Sequence, residues 1–161
     1  MIKNTDIILY DEEYQKFKEI LDDFLLKSGS KYAFLLSKSG QVLVESGSTN
    51  TLDVTSLASL IAGAVAATAG LATIISEEEF SVLFHEGKEN NIYISILNEK
   101  VIFVVIFSKT TSLGLVRLKM KSIVAPIQKV YESLLTKMDS HSTPAFLENI
   151  TDEDIDSLFD F

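Results

Sequence analysis

Cysteine is absent from this chain of 161 residues, which removes disulfide frameworks and thiolate metal sites and gives secretion no support. Arginine occurs once, at Arg117, and proline twice, at Pro126 and Pro144. Basic residues are missing after Lys137, where residues 138–161 carry seven acids: Asp139, Glu148, Asp152, Glu153, Asp154, Asp156 and Asp160. Residues 1–137 hold 14 basic and 16 acidic side chains, so the net charge of −9 is concentrated in an acidic tail. That balance argues against general nucleic-acid binding, which depends on Lys and Arg neutralising phosphates. The phosphate-binding loop G-x-x-x-x-G-K-[ST] and the dinucleotide turn G-x-G-x-x-G are both missing, so the chain is not a recognisable nucleotidase or dinucleotide enzyme. Met1 to Tyr10 lacks the basic and apolar regions of a secretory leader. A cytoplasmic protein is expected.

Charge of either sign is also missing over the 23 residues from Val54 to Ser76. Placed on a helical wheel, Leu57, Leu60, Ile61, Val65, Leu71, Ile74 and Ile75 gather on one broad side. Ser59, Ala62, Gly63, Ala66, Ala69, Gly70 and Thr73 gather on the other. A helix with its back to water would carry Lys and Glu on that second side. A face of Gly, Ala and small hydroxyls instead lets another backbone approach closely, so it reads as a protein contact surface. A membrane span of about 30 Å is the competing explanation for a stretch of this length. The flanking acids Asp53 and Glu77 to Glu79, with no Lys or Arg cluster and no aromatic belt, favour a helix covered by protein over membrane insertion. Gly63 and Ala67 form a small-xxx-small pair, a pattern that close helix contacts use in water as well as in lipid.

With 47% hydrophobic residues, the chain can bury one substantial core. Residues 11–27 read as a helix, with Tyr14, Phe17, Leu21, Phe24 and Leu25 at helical spacing and Asp11, Glu12 and Glu13 in the first turn. Ser28 and Gly29 stop it. Lys31 to Ser37 and Gln41 to Ser46 are strands joined by a hairpin at Lys38-Ser39-Gly40. The small-faced helix follows, capped by Asp53. Glu79 to His85, Asn91 to Leu97 and Val101 to Phe107 form a meander, and the last of these strands, VIFVVIF, is apolar on both faces, as a central strand covered by helices on both sides would be. A long helix runs from Leu115 to Lys137 on a stripe of Leu118, Ile123, Ile127, Val130, Tyr131 and Leu134, with a kink expected at Pro126. The resulting organisation is an extension at 1–10, a domain at 11–137 and a tail at 138–161. Pro144 opens the tail, and Thr151-Asp152-Glu153-Asp154 resembles a capping box before a short amphipathic segment whose Ile155, Leu158 and Phe159 share a docking face.

Catalytic and metal readings find little to stand on. His85 and His141 lie far apart with no Cys and no His pair at ligand spacing, so no metal site is expected. Asp152, Asp154 and Asp156 imitate the opening of a calcium loop, but Ser157 replaces its glycine and the chain ends before position twelve. Ser37 and Ser39 have no base partner that spacing identifies. Arg117 reads as a salt-bridge or surface residue, not an arginine finger. No cofactor is expected.

The order helix, two strands, helix, three strands, helix, together with KYAFLLSKSGQVLVESG, LASLIAGAVAATAGLATII, FSVLFHEGKENNIYISIL and VIFVVIFSKTTSLGLVRL, resembles the roadblock family, which includes dynein light chains and regulators of small GTPases. The N-terminal stretch ILYDEEYQKFKEILDDFL and the apolar-acidic tail are similar to its MglB branch of bacterial polarity regulators. The resemblance covers residues 31–137. It implies an α+β, three-layer α/β/α sandwich around a five-stranded antiparallel sheet, and a homodimer formed by an edge strand and the central helix. It also implies binding to an MglA-type small GTPase and a cytoplasmic, pole-associated role in polarity and motility. Such a regulator stimulates GTP hydrolysis by remodelling the GTPase, without catalytic residues of its own. Its platform would be Ala62, Gly63, Ala66, Ala69, Gly70 and Thr73, some facing the twin subunit and others the GTPase. Ile155, Leu158 and Phe159 would dock the tail on the GTPase and promote nucleotide exchange. Two alternatives stay open: a scaffold or light chain without effect on nucleotide turnover, and a small-ligand sensor, for which no convergent polar cluster speaks.

Overall fold

A computed structural model describes residues 7–48 and 50–142. Helix α1 (Asp11–Ser28) places its three acids at the positive end of its dipole and stops at Gly29. There φ is 69°, a left-handed conformation that glycine adopts without cost, and the Gly29 N–H donates to Leu25 O at 3.0 Å. Strands β1 (Tyr32–Ser37) and β2 (Val42–Gly47) form the expected hairpin, turning at Gly40 with φ 92° and carrying one register shift at Leu35/Leu36. Helix α2 (Val54–Ile74) is followed by β3 (Val82–Glu86), β4 (Asn90–Ile96), β5 (Val101–Ser108) and helix α3 (Leu113–Ser142).

The five strands make one antiparallel sheet in the order β2-β1-β5-β4-β3. β5 lies in the middle, and every residue from Val101 to Phe107 is buried. Because successive side chains alternate between faces, the strand feeds two cores. Val101, Phe103, Val105 and Phe107 join Ala33, Leu35 and Tyr93 beneath α1 and α3, where Phe24 meets Phe103 edge to face at 5.2 Å between ring centroids. Ile102, Val104 and Ile106 join Phe34, Leu36 and Ile94 beneath α2. Two helices therefore cover one face of the sheet and a single helix covers the other.

Several boundaries and faces differ from the sequence reading. β3 starts at Val82 rather than Glu79, because Ser76 turns left-handed (φ 62°) and Glu79 is drawn into a surface ion pair with Lys38 at 2.7 Å. α3 begins at Leu113, runs through Pro126 and continues past Lys137 to Ser142. Its inward stripe is Val116, Met120, Ile123, Ile127, Val130, Tyr131 and Leu134, whereas Leu118, expected to point inward, is 60% exposed. Pro144, the capping box and the calcium-like run lie outside the described residues.

α1 and α3 are joined by a charge cluster at the N-terminal end of α1. Glu13 is fully buried, and its Oε1 sits 2.6 Å from Lys137 Nζ and accepts from Ser133 Oγ at 3.4 Å. The same ammonium reaches Glu12 Oε2 at 2.6 Å, and Lys16 holds the other Glu12 oxygen at 2.7 Å. The hydrogen bond from Lys137, reinforced by Lys16, lowers the Glu12 carboxyl from 4.5 to about 2, and the bond from Lys137 lowers Glu13 as well. Depressed folded values mean that the cluster contributes stability above the ordinary carboxylate range and loses it as pH falls toward the folded values. In Lys137→Met the buried Glu13 loses its cation and favours its protonated form. Urea midpoints measured at neutral pH and near pH 3 should fall on acidification in the parent chain. In the variant, which starts lower at neutral pH, that fall should be smaller or reversed.

A candidate contact surface on helix α2

α2 starts where Asp53 Oδ1 accepts from the Ser56 N–H at 3.1 Å while Ser56 Oγ donates to Oδ2 at 2.6 Å, bonds that hold the Asp53 carboxyl below its usual range. It ends with Ile75 and the left-handed Ser76, after which Glu77 N–H returns to Ala72 O at 2.9 Å. Between these stops the helix has no charge. Among the described residues it is the one helix long and apolar enough to cross a bilayer by length and composition, with mean hydropathy 1.9. Here it lies on the sheet.

The inward face consists of Ala58, Ile61, Ala62, Val65 and Ala72. This corrects the wheel, which set bulky residues inward and small ones outward. Three of the five buried residues are alanines, and two of them, Ala58 and Ala62, lie where the helix comes close to the β1–β2 turn: a Cβ on Gly40 would lie 3.3 Å from Ser59 Cα and 3.5 Å from Ala62 Cβ. Ala62 is accordingly part of this packing, only 9% exposed, and does not lie on the open side. The other five predicted contact residues, Gly63, Ala66, Ala69, Gly70 and Thr73, are exposed.

Bulky side chains share that open side. Leu60 is 73% exposed, Leu71 56%, Ile74 81% and Ile75 60%. The outer face is thus a set of glycines and alanines bordered by four large aliphatic residues. Its hydroxyls add little polarity, since Ser59 Oγ donates to Thr55 O at 3.1 Å and Thr73 Oγ1 to Ala69 O at 3.2 Å, both within the helix. A partner that covers this face has few donors to leave unsatisfied. Sequence periodicity missed Leu60, Leu71, Ile74 and Ile75 as surface residues. The signal present was the absence of charge all round the helix, which demands cover on every side.

Gly63 and Gly70 bear on what that cover is. Apart from the helix's own backbone, no atom of the described residues lies within 4 Å of a Cβ built at either position. Glycine in a helix interior costs about 1 kcal/mol relative to alanine, and nothing among the described residues requires the space. Next to this layer the sheet ends in β3, a five-residue edge strand whose Leu83 alone is buried.

The remaining candidates are dispersed. Arg117 is exposed on α3, in the layer across the sheet from α2, and forms no ion pair among the described residues. His85 is exposed on β3, and His141 packs against Tyr10 at 5.5 Å between ring centroids near the end of α3. Among the described residues no group of three or more His, Asp or Glu could hold a metal. Ile155, Leu158 and Phe159 lie outside the described residues.

Comparison with known proteins bears on the fold as a whole. Residues 16–107 match the model of the Roadblock/LC7 domain. The structure is similar to Myxococcus xanthus MglB, with 44% identity, a TM-score of 0.74, and 79% of this chain and 96% of that one covered. It is similar to an MglB with a tetrameric arrangement (28% identity, TM-score 0.76, coverage 80% and 97%). It is also similar to the gliding protein MglB of Thermus thermophilus (29% identity, TM-score 0.74, coverage 80% and 97%). A search of curated protein sequences finds no match.

The two glycines provide a test of whether the outer face is covered. Gly63→Ala and Gly70→Ala fit the isolated protomer and should raise its stability by about 1 kcal/mol each through helix propensity, read by urea denaturation at high dilution. Sedimentation at higher concentration should show weaker self-association. Unchanged association in both variants would mean that no backbone approaches these positions.

Proposed function

The chain belongs to the Roadblock/LC7 domain family, and on that premise we propose that it works as a homodimer that binds an MglA-type small GTPase and stimulates its GTP hydrolysis. The observation that carries this reading is the uncharged outer face of α2, where exposed Leu60, Leu71, Ile74 and Ile75 border Gly63, Ala66, Ala69 and Gly70. Burying aliphatic side chains of this size stabilises a complex by roughly 25 cal/mol per Å² removed from water. Exposed in a lone subunit, they favour association instead. The unpaired edge of β3 supports a second copy as one partner, since an open strand edge is a template for another strand. Pairing at β3 would bring two α2 helices onto one side of an extended sheet and double the apolar area offered to a GTPase.

The activator needs no reacting group of its own. Phosphoryl transfer is accelerated mainly by positioning and charge stabilisation, so a platform that shifts the switch segments of the GTPase lets that enzyme's own residues orient the attacking water. The position of Arg117, on the far side of the sheet from α2 and exposed with no ion pair among the described residues, favours such remodelling over an inserted finger. We assign Ile155, Leu158 and Phe159 to a second contact with the GTPase that promotes nucleotide exchange, and we place the pair at the cell pole in the cytoplasm.

Single-turnover hydrolysis by the MglA-like GTPase of the same genome tests this directly. With this protein in excess, the rate should rise by roughly tenfold or more. Ala66→Arg and Gly70→Arg should abolish the rise, because a guanidinium cannot be desolvated in a tight interhelical contact without a partner. A complex that forms without acceleration would establish a scaffold in place of an activator. No complex would leave the fold standing and remove the partner.

A further inference from the structure

Across the sheet from α2, α1 and α3 do not cover the last strand. Val82 and Phe84 of β3, which pair with Ser95 and Tyr93, point to the α3 side and are 40% and 36% exposed. Phe84 stacks on Phe107 at 6.2 Å between centroids and lines a depression of about 400 Å³ with Leu113, Thr111, Lys109, Asn91 and Glu86. From Leu113 the flank of α3 continues along this open strip at helical spacing through Arg117, Lys121 and Val124, the last 40% exposed. Gln128, one turn further, accepts from Asn98 Nδ2 of the β4–β5 turn at 3.1 Å, which fixes this flank as the one facing β4 and β3. Among the described residues Lys109, Arg117 and Lys121 form no ion pair. Glu86 is the one carboxylate lining the depression. The result is a trough with an apolar floor and a basic wall on a strongly acidic protein.

We propose that this trough is the docking site of the chain's own C-terminal segment, residues 143–161. Charge selects it: the segment holds six acids and no Lys or Arg, interleaved with Phe146, Leu147, Ile150, Ile155, Leu158 and Phe159. The groove between α1 and α3, lined by Lys16, Glu19, Ile20, Asp23, Lys129 and Val130, balances its charges and has no such preference. Reach also fits. The described chain ends at Ser142, and Val124 lies 18 residues back along α3, about 27 Å at 1.5 Å per residue. The nine residues 143–151 span up to about 30 Å when extended, which brings Ile155, Leu158 and Phe159 beside Val82, Phe84 and Val124. Docked there in the free protein, the segment is held on the face opposite α2, and it would have to leave the trough to make the GTPase contact assigned above to Ile155, Leu158 and Phe159. The inference goes beyond the proposed activity and its test involves no GTPase.

The absence of cysteine makes the test clean. Ser157→Cys in the full chain gives a single site for a nitroxide spin label, and amide signal intensities report which surface it visits. Intensities at Val82 to Glu86 and Leu113 to Val124 should be more than halved relative to the reduced label, and Lys109→Glu combined with Lys121→Glu should restore them. Raising salt from about 0.1 M to about 1 M, which shortens the screening length from about 10 Å to about 3 Å, should restore them in part. Loss centred on Ile20 and Val130, loss on α2, or loss spread evenly over the surface would overturn the assignment. So would loss seen only when a spin-labelled chain is mixed with a separate isotope-labelled chain, because the segment would then be reaching a second copy.

Discussion

The structure is organised by burial of β5 on both faces. A strand with seven consecutive buried apolar residues must be covered twice, and the alternation of its side chains divides the protein into two cores that share one backbone. On one side Phe24, Phe103 and Phe107 require the bulk of two helices. On the other, Ile102, Val104 and Ile106 meet α2 alone, which approaches the β1–β2 turn closely enough to need Ala58 and Ala62 at the contact. The imbalance has a consequence for function. Among the described residues no third layer covers the outer side of this apolar helix, and that side is as uncharged as the inner one.

This also explains which parts of the molecule were legible in advance. Element order followed from periodicity, because Phe17, Leu21 and Phe24 recur at helical spacing and VIFVVIF admits no solvent face. The Asp53 cap and the stop at Gly29 followed from local chemistry that needs no tertiary context. The orientation of α2 did not. A wheel ranks side chains by size and sets the large ones inward, whereas the space beneath this helix is determined by a turn 20 residues earlier in sequence, at Gly40. Leu60 and Ile74 were therefore placed inside and Ala62 outside. Leu118 failed for a related reason: α3 turns its stripe toward α1 and the sheet through Met120, Ile123 and Ile127, and Leu118 lies opposite them. Glu13 was legible as a helix-dipole residue but not as a buried anion, since its partner Lys137 is 124 residues away.

The candidate site is less a set of reactive groups than a distribution of desolvation costs. Side chains that would resist removal from water are absent from the outer face of α2, and those hydroxyls that occur there are spent on the helix backbone. Gly63 and Gly70 are costs that no contact among the described residues requires, as a surface shaped for close approach by a second backbone would carry. The match to the Roadblock/LC7 domain spans this element along with the rest of the sheet. The reading of α2 as a contact surface rests on exposure and charge, whereas the match over residues 16–107 carries the family.

The sheet then separates two kinds of surface that a small domain could not otherwise keep apart. Neutral apolar contacts gather on the α2 side, where complex formation depends on area and shape and is insensitive to salt. Cations with no ion pair among the described residues gather on the α3 side, at Lys109, Arg117 and Lys121, where attraction is long-ranged and screened by salt. An acidic segment tethered at Ser142 is repelled by the overall negative charge of the protein but not by this strip. Its local concentration is set by the tether rather than by the solution, so even a modest preference for the basic wall is enough to populate it. If a partner binds α2 and the tail docks as proposed, the two contacts would respond to different variables, apolar area in the first case and ionic strength in the second, within a single layer of five strands.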